Sequence, residues 1–366
     1  MSPATPDDIR WLDAAVRAAE PFLGTTAENP TVAAFVVDPA ENVLLGRAVT
    51  ARGGRPHAEP LALEAAGDPA RGATLYVTLE PCHHWGRTPP CVDAVVRAGI
   101  ARVVIGTADA DPRTSGESIA LLRRHGIEVV VADHAPSRRL HEAHRVRHTL
   151  GRPFVTLKLA VSADGMIGRW NEGRVAITGE ESRRWTHLQR ALSNAILIGG
   201  ATAEIDDPQL TVRLPGLEAR TPLRVILAGT RGVDRRLNLI GGFSGHRVAV
   251  IIEWGREVSV PASVSVVEVP GAEGRPDLAG ALKALHARGI TRLLVEPGAT
   301  LTEAFLAAGL VDRFELLHGA VTIGADGVRA TPGGTMEKRL AAAGFHEVAS
   351  MTLGEDTLQT FEKVEA

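Results

Sequence analysis

Two cysteines occur in the chain, Cys82 and Cys91; each directly follows a proline, and a His57-Ala58-Glu59 triplet stands ahead of them. A zinc ion that delivers a nucleophile takes three protein ligands and keeps a fourth position open. His57, Cys82 and Cys91 meet that count. Glu59, two residues from His57, is the carboxylate placed to move protons between an attacking water and a leaving group. A disulfide is the competing use of two cysteines, but a pair embedded among histidine and glutamate in an intracellular chain reads as metal thiolates. A closed structural zinc, with His83 or His84 as fourth ligand, is the other alternative. Both Ala58 and Cys91 fall at predicted helix N-termini, where partial positive charge favours thiolate over thiol.

The remaining bulk properties narrow the field. At 366 residues, two domains are expected. Hydrophobic residues make up 45% and charged residues 23%, a globular composition. The formal net charge of −3 argues against broad electrostatic capture of nucleic acid, so a small-molecule substrate is expected. The first residues lack a basic stretch followed by an apolar one, and no apolar run is long enough to span a bilayer. The expectation is a cytoplasmic protein with no membrane partner.

Apolar residues at Ile9, Leu12, Ala15, Val16 and Ala19 follow a helical period after Asp7 and Asp8. Residues 32–37 and 43–46 then form a predicted hairpin around Asp38-Pro39-Ala40-Glu41-Asn42. Alternating helices and strands follow to about residue 131, which describes an α/β sandwich. The basic segment 136–152 reads as a linker, with His141, His144 and His148 on one face of a solvated helix. A ligand row there is disfavoured because no carboxylate is evident to orient the imidazoles. A second α/β pattern starts at the apolar strand 154–160, with further strands at 195–198, 223–227, 248–252, 264–269 and 292–295 and helices at 180–192 and 278–287. No Gly-x-Gly-x-x-Gly follows a strand, so a Rossmann assignment has no motif support.

His-x-Glu followed by Pro-Cys-x-x-Cys is the pattern of zinc-dependent nucleobase deaminases. In this chain eight residues part the two cysteines instead of two, and the long loop carries its own signature. Thr78-Leu79-Glu80-Pro81-Cys82 and Gly86-Arg87-Thr88-Pro89-Pro90-Cys91 resemble the deaminase of riboflavin biosynthesis. The resemblance implies a loop that closes on a phosphoribosylated pyrimidine. His84 and Arg87 would contact base or phosphate, Thr88 would help hold the phosphate, and Asn29 of Asn29-Pro30 would bind the ring. Arg87 suits a phosphate dianion by charge and forked donors. Trp85 has two uses open to it, stacking on the base or packing in the interior. His83 fills a position usually small in the family, and Ala33 stands where glycine is common.

Further along, Leu157 to Gly165, Ala176-Ile177-Thr178-Gly179, Ala195 to Gly199, Asp206 to Arg213 and Leu294 to Leu301 resemble the reductase half of the bifunctional riboflavin deaminase/reductase. The resemblance covers nearly the whole chain with both halves in order. It implies a cytidine-deaminase-like α/β/α sandwich over residues 1–148 and a dihydrofolate-reductase-like α/β domain over residues 149–366, using Zn2+ and NADPH respectively. Ala160, Thr202, Asp206, Gly298, Ala299 and Thr300 would line the NADPH site. Arg190, Leu210, Arg213 and Glu296 would meet the phosphoribosylamino substrate, the two arginines as phosphate anchors. Arg174 and Ala176 stand where many members have serine and tryptophan, and Pro297 and Ala299 replace glycine and proline. Two activities in sequence are implied, deamination then reduction, in a homo-oligomer; a deaminase whose second domain only binds or assembles is the alternative.

Overall fold

The computed structural model describes residues 3–170, 175–230, 232–241, 245 and 247–363. Arg174 lies outside the described residues. The chain divides into two compact units, Met1–Arg152 and Pro153–Ala366.

In the first unit, α1 (Pro6–Ala19) opens under a capping box: Thr5 Oγ1 accepts the Asp8 N–H and Asp8 accepts the Thr5 N–H. The same Asp8 takes two bonds from Arg102 at 2.7 and 2.9 Å, pinning the helix to the sheet. Strands β1 (Ala33–Asp38), β2 (Val43–Val49), β3 (Thr74–Val77), β4 (Arg102–Ile105) and β5 (Glu128–Val131) form one sheet in the order β2-β1-β3-β4-β5. The hairpin β1–β2 and the pair β1–β3 are antiparallel, whereas β3, β4 and β5 are parallel. Apolar alternation explains the layers: Ala34, Val36, Leu75, Val77 and Val103 face one side, and Ala33, Phe35, Val37, Tyr76 and Val104 face the α1 side. Helices α2 (Ala58–Ala66), α3 (Cys91–Arg97) and α4 (Glu117–Arg124) follow in chain order.

One close approach sets the height of α2. A Cβ on Gly46 of β2 would come within 2.6 Å of the Ala66 N–H nitrogen, so only glycine lets α2 lie so near the sheet. Gly46→Ala is expected to cost about 1–3 kcal/mol through overpacking. Denaturant unfolding of the variant checks this.

The segment expected to be a solvated linker is instead two helices, α5 (Ala135–Leu140) and α6 (Glu142–Leu150), belonging to the first unit. His141 is buried, its Nε2 3.0 Å from Thr78 Oγ1, and His144 Nε2 is 2.7 Å from Asp109 Oδ1. The carboxylate that orients His144 is therefore present but distant in sequence. The histidine row packs against the sheet because its polar edges find partners there.

The second unit begins with β6 (Phe154–Val161) and continues through β7 (Met166–Arg169), β8 (Ala195–Gly199), β9 (Leu223–Leu227), β10 (Val248–Glu253) and β11 (Val264–Val269). The two-residue β12 (Gly271–Ala272) and β13 (Arg275–Pro276) precede β14 (Arg292–Val295), β15 (Arg313–His318), β16 (Gly327–Arg329), β17 (Phe345–Leu353) and β18 (Asp356–Lys363). Nine of these strands form one sheet in the order β11-β10-β9-β8-β14-β6-β15-β18-β17. Neighbours from β11 to β15 are parallel, and β18 and β17 close the edge antiparallel. Its central strands are nearly continuous apolar runs, as expected when both faces are covered. Helix α7 (Glu180–Ala191) has glycine at its N-cap; Asp356 of β18 supplies the missing acceptor, bonding the Gly179 N–H at 2.7 Å and the Ser182 hydroxyl at 2.6 Å.

Candidate active sites

In the first unit, the C-terminal ends of the parallel strands aim at the metal-type residues. His57 is the N-cap of α2, Cys91 is the first residue of α3, and Cys82 sits on the loop leaving β3. Their ligand atoms all lie within 4.8 Å of one another, and among the described residues no other His, Cys, Asp or Glu trio is so arranged. His57 Nδ1 faces both sulfurs, 3.6 Å from Cys82 Sγ and 3.2 Å from Cys91 Sγ. Zinc–nitrogen and zinc–sulfur bonds at the tetrahedral angle put such atoms about 3.6 Å apart. The donor set and its spacing fit a zinc ion.

The charges agree with that fit. Cys91 donates a hydrogen bond to Cys82 and holds the Cys82 thiol down at about 4, while Cys91 is driven upward by the same bond. The bond to Cys82 also raises His57. Glu59 is 3% exposed, and its Oε2 is buried without a hydrogen-bond partner in the protein. Burial pushes its carboxyl up to about 7, and the charge on Cys82 adds to the rise. A group with that affinity can both take and return a proton near neutral pH.

The surrounding loops are braced from below. Glu80, also 3% exposed, accepts from the Gly116 N–H at 2.9 Å, the Ser118 hydroxyl at 2.9 Å and the Asp109 N–H at 3.2 Å. This ties the strand end before Cys82 to the loop after β4. That loop carries Thr114, whose Oγ1 is 3.4 Å from His84 Nδ1. Neither His83 nor His84 belongs to the ligand cluster, which favours the open zinc site over the closed one. Asn29 lies against the Gly54 turn just before His57: a Cβ on Gly54, at φ +88°, would meet Asn29 Cγ at 2.8 Å. Trp85 is 75% exposed, so it is not a packing residue. Arg87 is exposed, and Thr88 Oγ1 accepts a 2.6 Å bond from Arg55 Nη1. Sequence reasoning passed over Glu80, Asp109, Thr114 and Arg55. Glu80 alone carried a signal, because it lies inside the motif that ends at Cys82.

In the second unit, β8, β14 and β6 are adjacent and parallel, so their carboxyl ends bring separate motifs together. Ala160 comes from β6. Thr202 and Asp206 lie on α8 (Gly200–Asp206), and Glu296 and Gly298 to Thr300 follow β14. A Cβ on Gly298 would stand 3.3 Å from Thr202 Oγ1, so the two motifs touch. Gly199 and Gly298 are N-caps of α8 and of the helix Ala299–Ala307, and neither N-terminus has a side-chain cap. Two adjacent uncapped N-termini suit a pyrophosphate, which fits NADPH. Ala176 is exposed and Pro297 buried.

Arg190 is not a surface arginine. It is 8% exposed and forks onto Glu296, with Nε to Oε1 at 2.8 Å and Nη2 to Oε2 at 2.9 Å, while Nη1 donates to the Thr211 carbonyl at 3.2 Å. Burial pushes the Glu296 carboxyl up, but Arg190, with Lys158 and His187 adding, outweighs it and holds the group at about 2. His187 is held down at about 4, first by burial and then by Arg190 and Arg213, so it is neutral at pH 7; its Nδ1 accepts the Arg213 N–H at 3.1 Å. Leu210 is 2% exposed at φ +53°, and Arg213 projects from the same segment into solvent.

Comparison with known proteins accords with both halves. The cytidine and deoxycytidylate deaminase zinc-binding region matches residues 5–107, and the RibD C-terminal domain matches residues 153–358. The riboflavin biosynthesis protein RibD of Aquifex aeolicus is 37% identical over 330 residues, covering 88% of this chain and 91% of that protein. Acinetobacter baumannii RibD superposes with a TM-score of 0.84 at 29% identity, covering 98% of this chain and 99% of its own. A Thermotoga maritima diaminohydroxyphosphoribosylaminopyrimidine deaminase/5-amino-6-(5-phosphoribosylamino)uracil reductase superposes at 0.83 with 31% identity, covering 98% and 99%. With a zinc-binding deaminase half and an NADPH-using reductase half in that order, the chain belongs to the RibD family of bifunctional deaminase/reductase enzymes of riboflavin biosynthesis.

Proposed function

We propose that the first unit deaminates 2,5-diamino-6-(5-phosphoribosylamino)pyrimidin-4(3H)-one and that the second reduces the ribosyl group of 5-amino-6-(5-phosphoribosylamino)uracil to ribityl. The observation that carries the proposal is the His57, Cys82 and Cys91 cluster beside the buried, partnerless Glu59 Oε2.

His57, Cys82 and Cys91 would hold the zinc, which supplies the Lewis acidity that makes water a nucleophile near neutral pH. Glu59 Oε2 takes a proton from the attacking water and passes it to the ring nitrogen, then takes the remaining hydroxyl proton and passes it to the amino group. The carbon–nitrogen bond then breaks and ammonia leaves. Asn29 orients the ring, and His84, Arg87 and Thr88 hold the far end of the substrate. Trp85, exposed beside them, stacks on the base.

NADPH, when bound, supplies the hydride to C1′ of the opened sugar. Ala160, Thr202, Asp206, Gly298, Ala299 and Thr300 would hold the cofactor. Arg190 and Glu296 brace one another against the substrate side, Leu210 shapes the wall, and Arg213 anchors the phosphate. A cytoplasmic location suits two unoxidised sulfurs. A homo-oligomer follows from the family resemblance, and light scattering on purified protein reads it.

The test is one assay of zinc-loaded protein with the diaminopyrimidine ribotide, following ammonia and NADPH together. Ammonia followed by equimolar NADPH oxidation is expected. Ammonia without NADPH oxidation would favour the alternative that Arg174, Ala176 and Pro297 motivate, a second unit that only binds or assembles. Neither signal, with zinc bound, overturns the substrate assignment.

A further inference from the structure

Arg55 stands two residues before His57, outside every motif that marks the site. Its guanidinium reaches the long loop between the cysteines, where Nη1 donates to Thr88 Oγ1 at 2.6 Å. On the same loop, a Cβ on Gly86 would stand 3.2 Å from Arg55 Nη2, so the bare backbone at Gly86 is what admits the guanidinium. Arg55 thus lies against both chain neighbours of Arg87. Among the described residues, no carboxylate is within ion-pair distance of Arg55 or Arg87. Arg55 and Arg87 therefore bring two positive charges to the same stretch of chain, and an anion of charge two is attracted to both.

We propose that Arg55 is a specificity-determining residue of the deaminase site, a second guanidinium that selects substrates carrying the terminal phosphate. This rests on the assignment of the first unit to a phosphoribosylated pyrimidine. The bond to Thr88 gives the proposal its geometry. Thr88 Oγ1 accepts from Arg55, so the hydroxyl proton is free to be donated to an anionic oxygen of a ligand. Arg55 keeps Nη2 and Nε for the same phosphate, as the planar fork of arginine allows. Arg55 therefore acts twice, as a charge and by turning the Thr88 hydroxyl outward. A neutral donor would serve equally well if Arg55 only braced the loop.

The test compares zinc-loaded wild type, Arg55→Gln and Arg55→Ala in deamination of the ribotide and of the same compound lacking the phosphate, with bound zinc measured in each. Arg55→Gln keeps a donor for Thr88 but removes the charge. The ratio of ribotide to riboside kcat/KM is expected to fall about 10–100-fold, the range for losing a charge-assisted hydrogen bond, with the loss in KM. Competitive inhibition by inorganic phosphate should weaken in parallel. An unchanged ratio, whether through equal losses on both compounds or no loss at all, overturns the proposal. If wild type deaminates neither compound, the substrate assignment has failed. In that case calorimetric titration with inorganic phosphate still decides Arg55: equal affinity in wild type and Arg55→Gln overturns its role.

Discussion

Glu59→Gln is expected to lower deamination by on the order of 10²–10⁴-fold while zinc stays bound and NADPH oxidation with preformed reductase substrate is unchanged. The amide copies the shape of the carboxyl and leaves His57, Cys82 and Cys91 in place, so metal analysis should read the wild-type content. What is lost is the acceptor at Oε2, an atom that has no protein partner and hence no structural duty. The thermal midpoint should not fall, because burial already disfavours the carboxylate at this position. Retained deamination in a zinc-loaded variant would make Glu59 idle and the metal merely structural.

Glu296→Gln carries the largest expected effect on stability. The variant leaves Arg190 buried with its charge unanswered, a defect of about 3–5 kcal/mol. Unfolding of the second unit should shift accordingly, and NADPH oxidation should be lost while ammonia release persists. The wild-type pair also predicts an acid limb. Glu296 is held at about 2 against an ordinary 4.5, so its contribution is complete above about 4.5 and drains away as the pH falls towards 2. A shift of that size corresponds to about 3 kcal/mol. Denaturant titrations at pH 6, 4 and 3 on wild type and variant check both parts: the two curves should converge as the pH drops. Curves that stay parallel would remove Glu296 from the ledger of acid sensitivity.

The metal cluster was legible in the chain because its chemistry is local. His57 and Glu59 are one residue apart from adjacency, each cysteine follows a proline, and cysteine is too rare here to be incidental. The helices at 180–192 and 278–287 and the parallel strands other than β15 were equally legible, since their apolar periods match how they are buried. What escaped was held by long-range polar pairing. His141 and His144 read as solvated because Thr78 and Asp109, which receive them, are far off in the sequence. Arg190 was expected to anchor the substrate phosphate, and its pairing with Glu296 was hidden for the same reason, the partner lying 106 residues on, just after β14. The edge strand β17 gave no period to find, because nearly all of its residues are exposed. Arg55 had no signal at all; only the fold brings it to Thr88.

The helices α5 and α6 change where the chain can be cut. They look like the tether between two enzymes, yet His141 and His144 reach back under the floor that carries the metal loop. Modularity at the level of genes is therefore not modularity at the first convenient break in the sandwich. A first half excised before His134 would strip Thr78 and Asp109 of their imidazoles and loosen the very loop it was meant to isolate, whereas one carried through Arg152 keeps its own foundation.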